Sequence, residues 1–329
     1  MCLGEDRFVL NGGFGRIVSW LKQQIPDVRM NMVVSCVSCT CSVPHGPDQG
    51  AAGGQGSAYR CVVGTRPTEV QKVPSRLVCR AAIITAPPAV LLGLNDASAI
   101  TFEPPLSQER LASWRRMCAQ APGAPTHEKV VFRWLPGEVF WPEDVPLLAS
   151  QNAHLCFENL HRFPGCEGQL LVHIWPGGSL HTSVQTDGEV VQAVLEVLSQ
   201  MYPEVADRPS GLPWPQQFFV TRWGSDPFAL GAYASAGLGS QPRDWASAAQ
   251  PLPEHRSENS DVGSVVFFAG EHCAGALRQT TGGAFVSGAA AALRVLQVLQ
   301  PGRLSVADED RIIGDLAGFL WPRDPRLCV

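Results

Sequence analysis

An α/β chain in which one domain is interrupted by another is the fold class this sequence predicts, on three grounds. The 329 residues are enough for two ordinary domains. Apolar residues make up 45% and charged residues 17%, so the chain can bury a sizeable core and is not disordered by composition. The third ground is order. A helix and strands come first, then a layer of short aromatic strands with a helix, then a buried strand and a helix again. A layer that resumes after a different one reads as one domain split by an insertion.

Residues 14–25 (FGRIVSWLKQQI) have the apolar spacing of a short helix, ended by Pro26. Residues 28–43 read as one or two strands, and 44–57 as a Gly/Pro/Ser loop. A strand is expected around 59–63, and a fully buried one at 81–85, closed by Pro87 and Pro88 before a short helix. FEPPLSQERLASWRRMCAQ is a helix with Ser107 as N-cap. EKVVFRW, EVFW, GQLLVHIW and QFFVTRW are four strands of an antiparallel or mixed sheet, with GEVVQAVLEVLSQMY an amphipathic helix between the last two. Residues 236–262 read as a long polar loop. SVVFFAG then returns as a buried strand, and GAFVSGAAAALRVLQVLQ is a small-residue helix stopped by Pro301-Gly302. The strand near Val34 and the strand at 81–85 are expected in one sheet with residues 265–269.

Several function classes are disfavoured. Net charge is −5, so there is no electrostatic footprint for nucleic acid. No apolar run approaches the roughly 20 residues that cross a bilayer, and MCLGEDRFVLNGG does not read as a signal peptide. Eleven scattered cysteines point to a reducing, cytoplasmic compartment. SCVSCTCS tempts a zinc reading, but it alternates like a strand, with Cys39 and Cys41 on one face and Cys36 on the other. Small buried strand residues are the better reading, so no metal is expected. No G-x-S-x-G elbow occurs.

The most informative stretch is 265–288, VVFFAGEHCAGALRQTTGGAFVSG. A strand delivers Gly270 and Glu271 at its carboxyl end, where open α/β sheets hold ligands. The turn feeds Thr280, Thr281, Gly282 and Gly283 into a helix N-terminus, whose free N–H groups favour a partly negative ligand. Paired glycines allow close approach of a flat ring or phosphate, and Glu271 is suited to accept from ligand hydroxyls. The alternative is an ordinary strand-turn-helix with a capping threonine. His272 reads as a structural histidine.

FFAGEH followed by threonine and G-A-F-V-S-G resembles the C-terminal FAD signature of the flavin-containing amine oxidases, which include monoamine and polyamine oxidases and lysine-specific histone demethylases. LNGG, VRMNMVV, AAIITAPPAVL with FEPPL, EKVVFRW with EVFW, and TRWGSDPFALGAYAS resemble further family segments in the same order, from Asn11 to about Ala292. The resemblance implies an incomplete FAD-binding domain interrupted by an α+β substrate domain with a mixed sheet. Its segments would be 8–102 and 243–300 for the FAD side, 103–242 for the substrate side, and 301–329 as a C-terminal extension. The family's G-x-G-x-x-G unit is missing, because GGFG at 12–15 and GGQG at 53–56 lack its spacing. The sequence starts near the family's midpoint, and an N-terminal half is an expected partner. The flavin turn also departs, reading Cys273-Ala274-Gly275 and Arg278-Gln279 where the family often has other residues.

By resemblance, Lys129, one of only three lysines, sits at the catalytic-lysine position, where the amine holds a water at the flavin. A partly buried lysine there would relay a proton or activate water, whereas its bland reading is a surface lysine on an edge strand. Trp223 and Tyr233 match aromatic positions lining the substrate channel, with a core role open for Trp223. Asp226-Pro227 shapes a turn. Val34 and Pro87 would meet the adenosine end of FAD, and Glu271, Thr280, Thr281 and Gly283 its other end. The implied activity is oxidation of a polyamine-like amine to an imine and aldehyde, with dioxygen reduced to hydrogen peroxide. The alternative is a non-catalytic remnant or interaction module. A histone-demethylase-like member would be nuclear.

Overall fold

The computed structural model describes residues 15–41, 59–118, 126–150, 155–177, 180, 182–252 and 265–303. The expected 44–57 loop and most of the 301–329 extension lie outside them. In chain order the elements are α1 (Gly15–Gln23), β1 (Val33–Cys41), β2 (Tyr59–Arg66), β3 (Arg76–Cys79), β4 (Ala82–Ile84), α2 (Pro88–Leu91), β5 (Thr101–Glu103) and α3 (Gln108–Met117). Then follow β6 (Glu128–Arg133), β7 (Leu147–Ala149), β8 (Leu155–Asn159), β9 (Gln169–Ile174), α4 (Asp187–Met201), α5 (Pro203–Ala206) and β10 (Gln217–Val220). The last three are α6 (Pro242–Ala248), β11 (Val266–Phe268) and α7 (Thr281–Leu299). The chain forms two compact units, one of residues 1–30 and 124–224 and one of residues 31–123 and 225–329. The divisions therefore fall at 31, 124 and 225, where the sequence led us to expect 103 and 243.

In the 31–123/225–329 unit, a four-stranded sheet runs β3-β2-β1-β5, with β5 parallel to β1. A separate two-stranded sheet pairs β4 with β11 in parallel, Ile84 opposite Phe268. The single sheet expected for Val34, 81–85 and 265–269 is thus two sheets. They share a core of Val37, Ile84, Phe102, Trp114 and Phe268. Nor is 81–85 fully buried: Ile84 is covered but Ile83, beside Phe267 on the α7 side of the short sheet, is 38% exposed. Ser107 caps α3 as expected, its hydroxyl accepting from the Arg110 N–H at 3.2 Å. Inside the supposed polar loop 236–262 lies α6, which buries Trp245 and Ala248. Its Asp244 pairs with Arg116 of α3 and accepts from Ser113 at 3.1 Å.

The cysteines of β1 to β3 confirm a strand role. Cys39 faces Cys61, and Cys61 faces Cys79, across three strands. Burial pushes Cys39 up to about 11 and Cys61 up to about 12, which keeps both as thiols. Among the described residues no cluster could hold a metal, and Cys36, Cys39, Cys61 and Cys79 are free thiols.

In the 1–30/124–224 unit, an antiparallel sheet runs β10-β6-β9-β8-β7. Alternation puts Val130, Phe132, Leu170, Val172 and Phe157 on one face, and α4 covers them with Val190, Val191, Val194 and Leu198. Thr186 and Glu189 form a capping box at the start of α4. EVFW is not a strand. It follows a 3-10 turn at Pro136–Glu138, and its aromatic side chains join an edge-to-face cluster of Trp134, Phe140, Trp141 and Tyr202. The Trp141 indole N–H instead donates to Asn159 at 3.0 Å. α1 is present as expected, with no buried residue.

One helix among the described residues, Thr281–Leu299, is long and apolar enough to cross a membrane by length and composition, an exception to the sequence reading. Here it lies against β11, placing Ala291, Val295 and Val298 on Phe267 and Ala269.

Candidate active site

The candidate residues fall in both units, and each half is built locally. In the 31–123/225–329 unit the parallel pair ends with the Ala269 N–H donating to the Ile84 carbonyl at 3.0 Å. Gly270 follows at φ 138°, where a Cβ would lie 2.6 Å from the His272 ring. Only glycine fits this turn. Ser287 of α7 staples it, accepting from the Gly270 N–H at 2.9 Å and lying 2.8 Å from its carbonyl. His272 is 2% exposed, and burial lowers its imidazole to about 4, in keeping with a structural histidine.

Glu271 has a structural task in this turn. One carboxylate oxygen accepts from the Ala234 N–H at 2.7 Å and the other from the Gln279 N–H at 2.9 Å. The carboxylate therefore ties the loop carrying Tyr233 to the turn carrying Thr280. Gln279, at φ 64°, closes the same link through its side-chain amide and the Ala234 carbonyl at 2.9 Å. Burial raises the Glu271 carboxyl above its ordinary value, against the pull of its two backbone donors. Burial also pushes the Cys118 and Cys273 thiols up to about 12, with the Glu271 charge adding to both.

Thr280 caps α7, its hydroxyl accepting from the Gly283 N–H at 2.9 Å and donating to the Leu277 carbonyl at 2.6 Å. The two glycines behind it differ. A Cβ on Gly283 would sit 2.1 Å from the Leu277 carbonyl oxygen, whereas the nearest atom to one on Gly282 is 4.0 Å away. Gly283 thus serves packing of helix against turn, and Gly282 with the exposed Thr281 keeps the helix mouth open. Tyr233 is 39% exposed, and burial of the remainder raises its phenol. Val34 is half-buried in β1 beside a register shift, and half-buried Pro87 precedes α2.

In the 1–30/124–224 unit, Lys129 lies on β6, second in the strand order and so not an edge lysine. It is half-buried on the sheet face away from α4, directly opposite His173. Beside it is an imidazole pair: His127 Nε2 is 3.0 Å from His173 Nδ1, and the His127 ring stacks on Trp175 at 4.0 Å. Burial, the His173 ring and the Lys129 charge lower His127 to about 4. His173 is lowered as well, mainly by burial, with Glu158 opposing from 3.5 Å. Trp223 is 44% exposed and lies in none of the core clusters of the described residues. Asp226 accepts from the Phe228 N–H at 2.8 Å, forming the expected turn.

Sequence reasoning missed Glu128. It stands in the buried phase of β6 with Val130 and Phe132 and is 2% exposed. A charged residue at the apolar phase of an alternating strand was the signal available. His173 and His127 were missed too, because their pairing depends on β6–β9 register.

The sequence matches the family described as flavin containing amine oxidoreductase over residues 12–296, and the chain belongs to it. It is 31% identical to polyamine oxidase 4 of Oryza sativa subsp. japonica over 216 residues, 64% of this chain and 38% of that one. It is 24% identical to lysine-specific histone demethylase 1 homolog 3 of Arabidopsis thaliana, over 91% of this chain and 16% of that one. Its fold is similar to that of cyclohexylamine oxidase from Brevibacterium oxydans, with TM-score 0.52, 18% identity, and 81% and 48% of the two chains covered. The chain spans less than half the length of each of these proteins.

Proposed function

We propose that this chain is the lysine-bearing portion of an FAD-dependent amine oxidase acting on a polyamine-like amine. The observation that carries this reading is the pairing of an open α7 mouth with a Glu271-locked aromatic loop, within a chain matched to the flavin family. The residues present fit one end of a flavin. Thr281 and Gly282 leave room for a flat ring or ribityl chain, and each Glu271 oxygen keeps a lone pair for a hydroxyl. Val34 and Pro87 would meet the adenosine end. When bound, FAD supplies the hydride acceptor for oxidation of the carbon beside nitrogen.

The remaining work belongs to side chains. Lys129 would hold a water and relay a proton or activate that water, and Trp223 and Tyr233 would offer rings to an amine that arrives as a cation. Imine hydrolysis then gives an aldehyde, and dioxygen leaves as hydrogen peroxide. A reducing, cytoplasmic compartment belongs to the same proposal, on the odd, scattered cysteines of the sequence. A second reading, an interaction module without catalysis, is favoured by one observation: the flavin turn departs from the family pattern at Cys273-Ala274-Gly275 and Arg278-Gln279.

Titrating the purified chain with FAD and following flavin absorption and tryptophan quenching separates the two. Saturable binding, weak for want of the pyrophosphate contacts, is expected for the oxidase portion. No binding at any FAD concentration would leave the interaction module.

A further inference from the structure

We propose that Glu128 is a positioning residue that turns the segment 221–224 into a rigid platform presenting the Trp223 ring. The inference rests on the reading of Trp223 as substrate-facing and adds a determinant that the family match does not assign.

Four consecutive residues are anchored by their polar groups. The Thr221 hydroxyl donates to Glu128 Oε2 while accepting from the Lys129 N–H at 2.7 Å. The Trp223 N–H donates to the same oxygen at 3.1 Å, and the Gly224 N–H donates to Oε1 at 3.0 Å. On the other side, Arg222 pairs with Asp187 in the first turn of α4 and donates to the Thr182 carbonyl. Thr221 N–H also donates to the Lys129 carbonyl at 2.9 Å, so the platform is fastened to the strand that carries the lysine.

Burying a carboxylate is costly unless its lone pairs are filled, and an apolar residue would serve the β6 core better than glutamate. The three donors that fill it all come from this one segment. With the backbone fixed from both sides, the indole is the group left in water, at 44% exposure. Its direction is therefore set by Glu128 rather than by packing.

The test labels the full chain with 5-fluorotryptophan and identifies the Trp223 line through Trp223→Phe. In Glu128→Gln one of the two acceptor oxygens becomes an NH2, so the Trp223 N–H or the neighbouring Gly224 N–H loses its partner, and the Trp223 line should shift or broaden while those of Trp134 and Trp141 hold still. An unmoved Trp223 line overturns the proposal, and so does equal movement of all three, which would make Glu128 a general folding residue. If Glu128→Gln does not fold, Thr221→Val decides, because it removes one of the carboxylate's donors. It should move the Trp223 line, and no movement overturns the proposal. In flavin-supplemented turnover, Glu128→Gln should raise KM roughly tenfold with kcat little changed, the mark of lost ring contact. A wild-type chain without amine turnover would sink the oxidase reading, whereas the fluorine lines would still judge the platform.

Discussion

In the 1–30/124–224 unit the centre of the sheet's apolar face is fully covered by α4: Phe132, Phe157 and Leu170 and the α4 residue Val194 are all at 0% exposure, and only at the edge strand β10 does Phe218 reach 40%. In the other unit Val78 is 63% exposed, Ile83 38% and Phe285 58%. The difference follows from strand pairing. Five antiparallel strands under one helix close a core by themselves, whereas parallel strands are normally covered on both faces and two strands make a marginal sheet. β4 and β11 have α7 on the Phe267 side and the shared core on the Phe268 side, yet Ile83, beside Phe267, stays 38% exposed. The lysine therefore stands inside a five-stranded sheet with a closed centre, and Gly270 and Glu271 follow a sheet of only two strands.

The largest expected effect separates the two units directly. Trp134→Ala should cost about 4 kcal/mol, since Trp134 is 1% exposed and its indole donates to the Pro213 carbonyl at 2.7 Å. Phe285→Ala should stay within about 0.5 kcal/mol. Urea unfolding of both variants checks this, and similar losses would break the comparison.

Next comes a contrast within α7. Gly283→Ala should destabilise by about 2 kcal/mol, because the new methyl meets the Leu277 carbonyl. Gly288→Ala, with no atom within 4 Å of its Cβ, should stabilise by roughly 0.5–1 kcal/mol. Thermal melts that order the two the other way would refute the packing role given to Gly283.

The smallest effect is pH-dependent. His272 falls from the ordinary 6.5 to about 4 in the folded chain, so the unfolded state takes up the proton first. Its contribution is fully present above pH 6.5 and is lost as pH drops toward 4, with a slope of at most about 1.4 kcal/mol per pH unit. His272→Leu should flatten the stability profile in that window, and an unchanged slope would assign the acid sensitivity elsewhere.

Much of this fold was legible because its signals are local. Ser107, Thr280 and the alternation of EKVVFRW and GQLLVHIW each specify an element within a few residues. What failed depends on partners distant in sequence. Val139, Phe140 and Trp141 have strand propensity, but Pro136 and Pro142 flank them and their aromatic rings pack edge-to-face instead of extending a ladder. α6 was hidden because only Trp245 and two alanines mark its inner face, and its anchor is the ion pair with Arg116. In the site, Lys129, Thr280 and Glu271 could be picked out by motif. The bonds from Glu271 to Ala234 and from Glu128 to Trp223 span 37 and 95 residues and needed the tertiary structure.

The central claim is that this chain's lysine serves a flavin-dependent amine oxidation. Stopped-flow mixing of the chain at saturating FAD with spermidine, followed by oxygen, tests it most directly in wild type and Lys129→Met. The expected result is amine-dependent flavin reduction in both forms, equal flavin content, and an assisted step slowed about 10²–10⁴-fold in the variant. Flavin that spermidine does not reduce, or identical rates in the two forms, would contradict it.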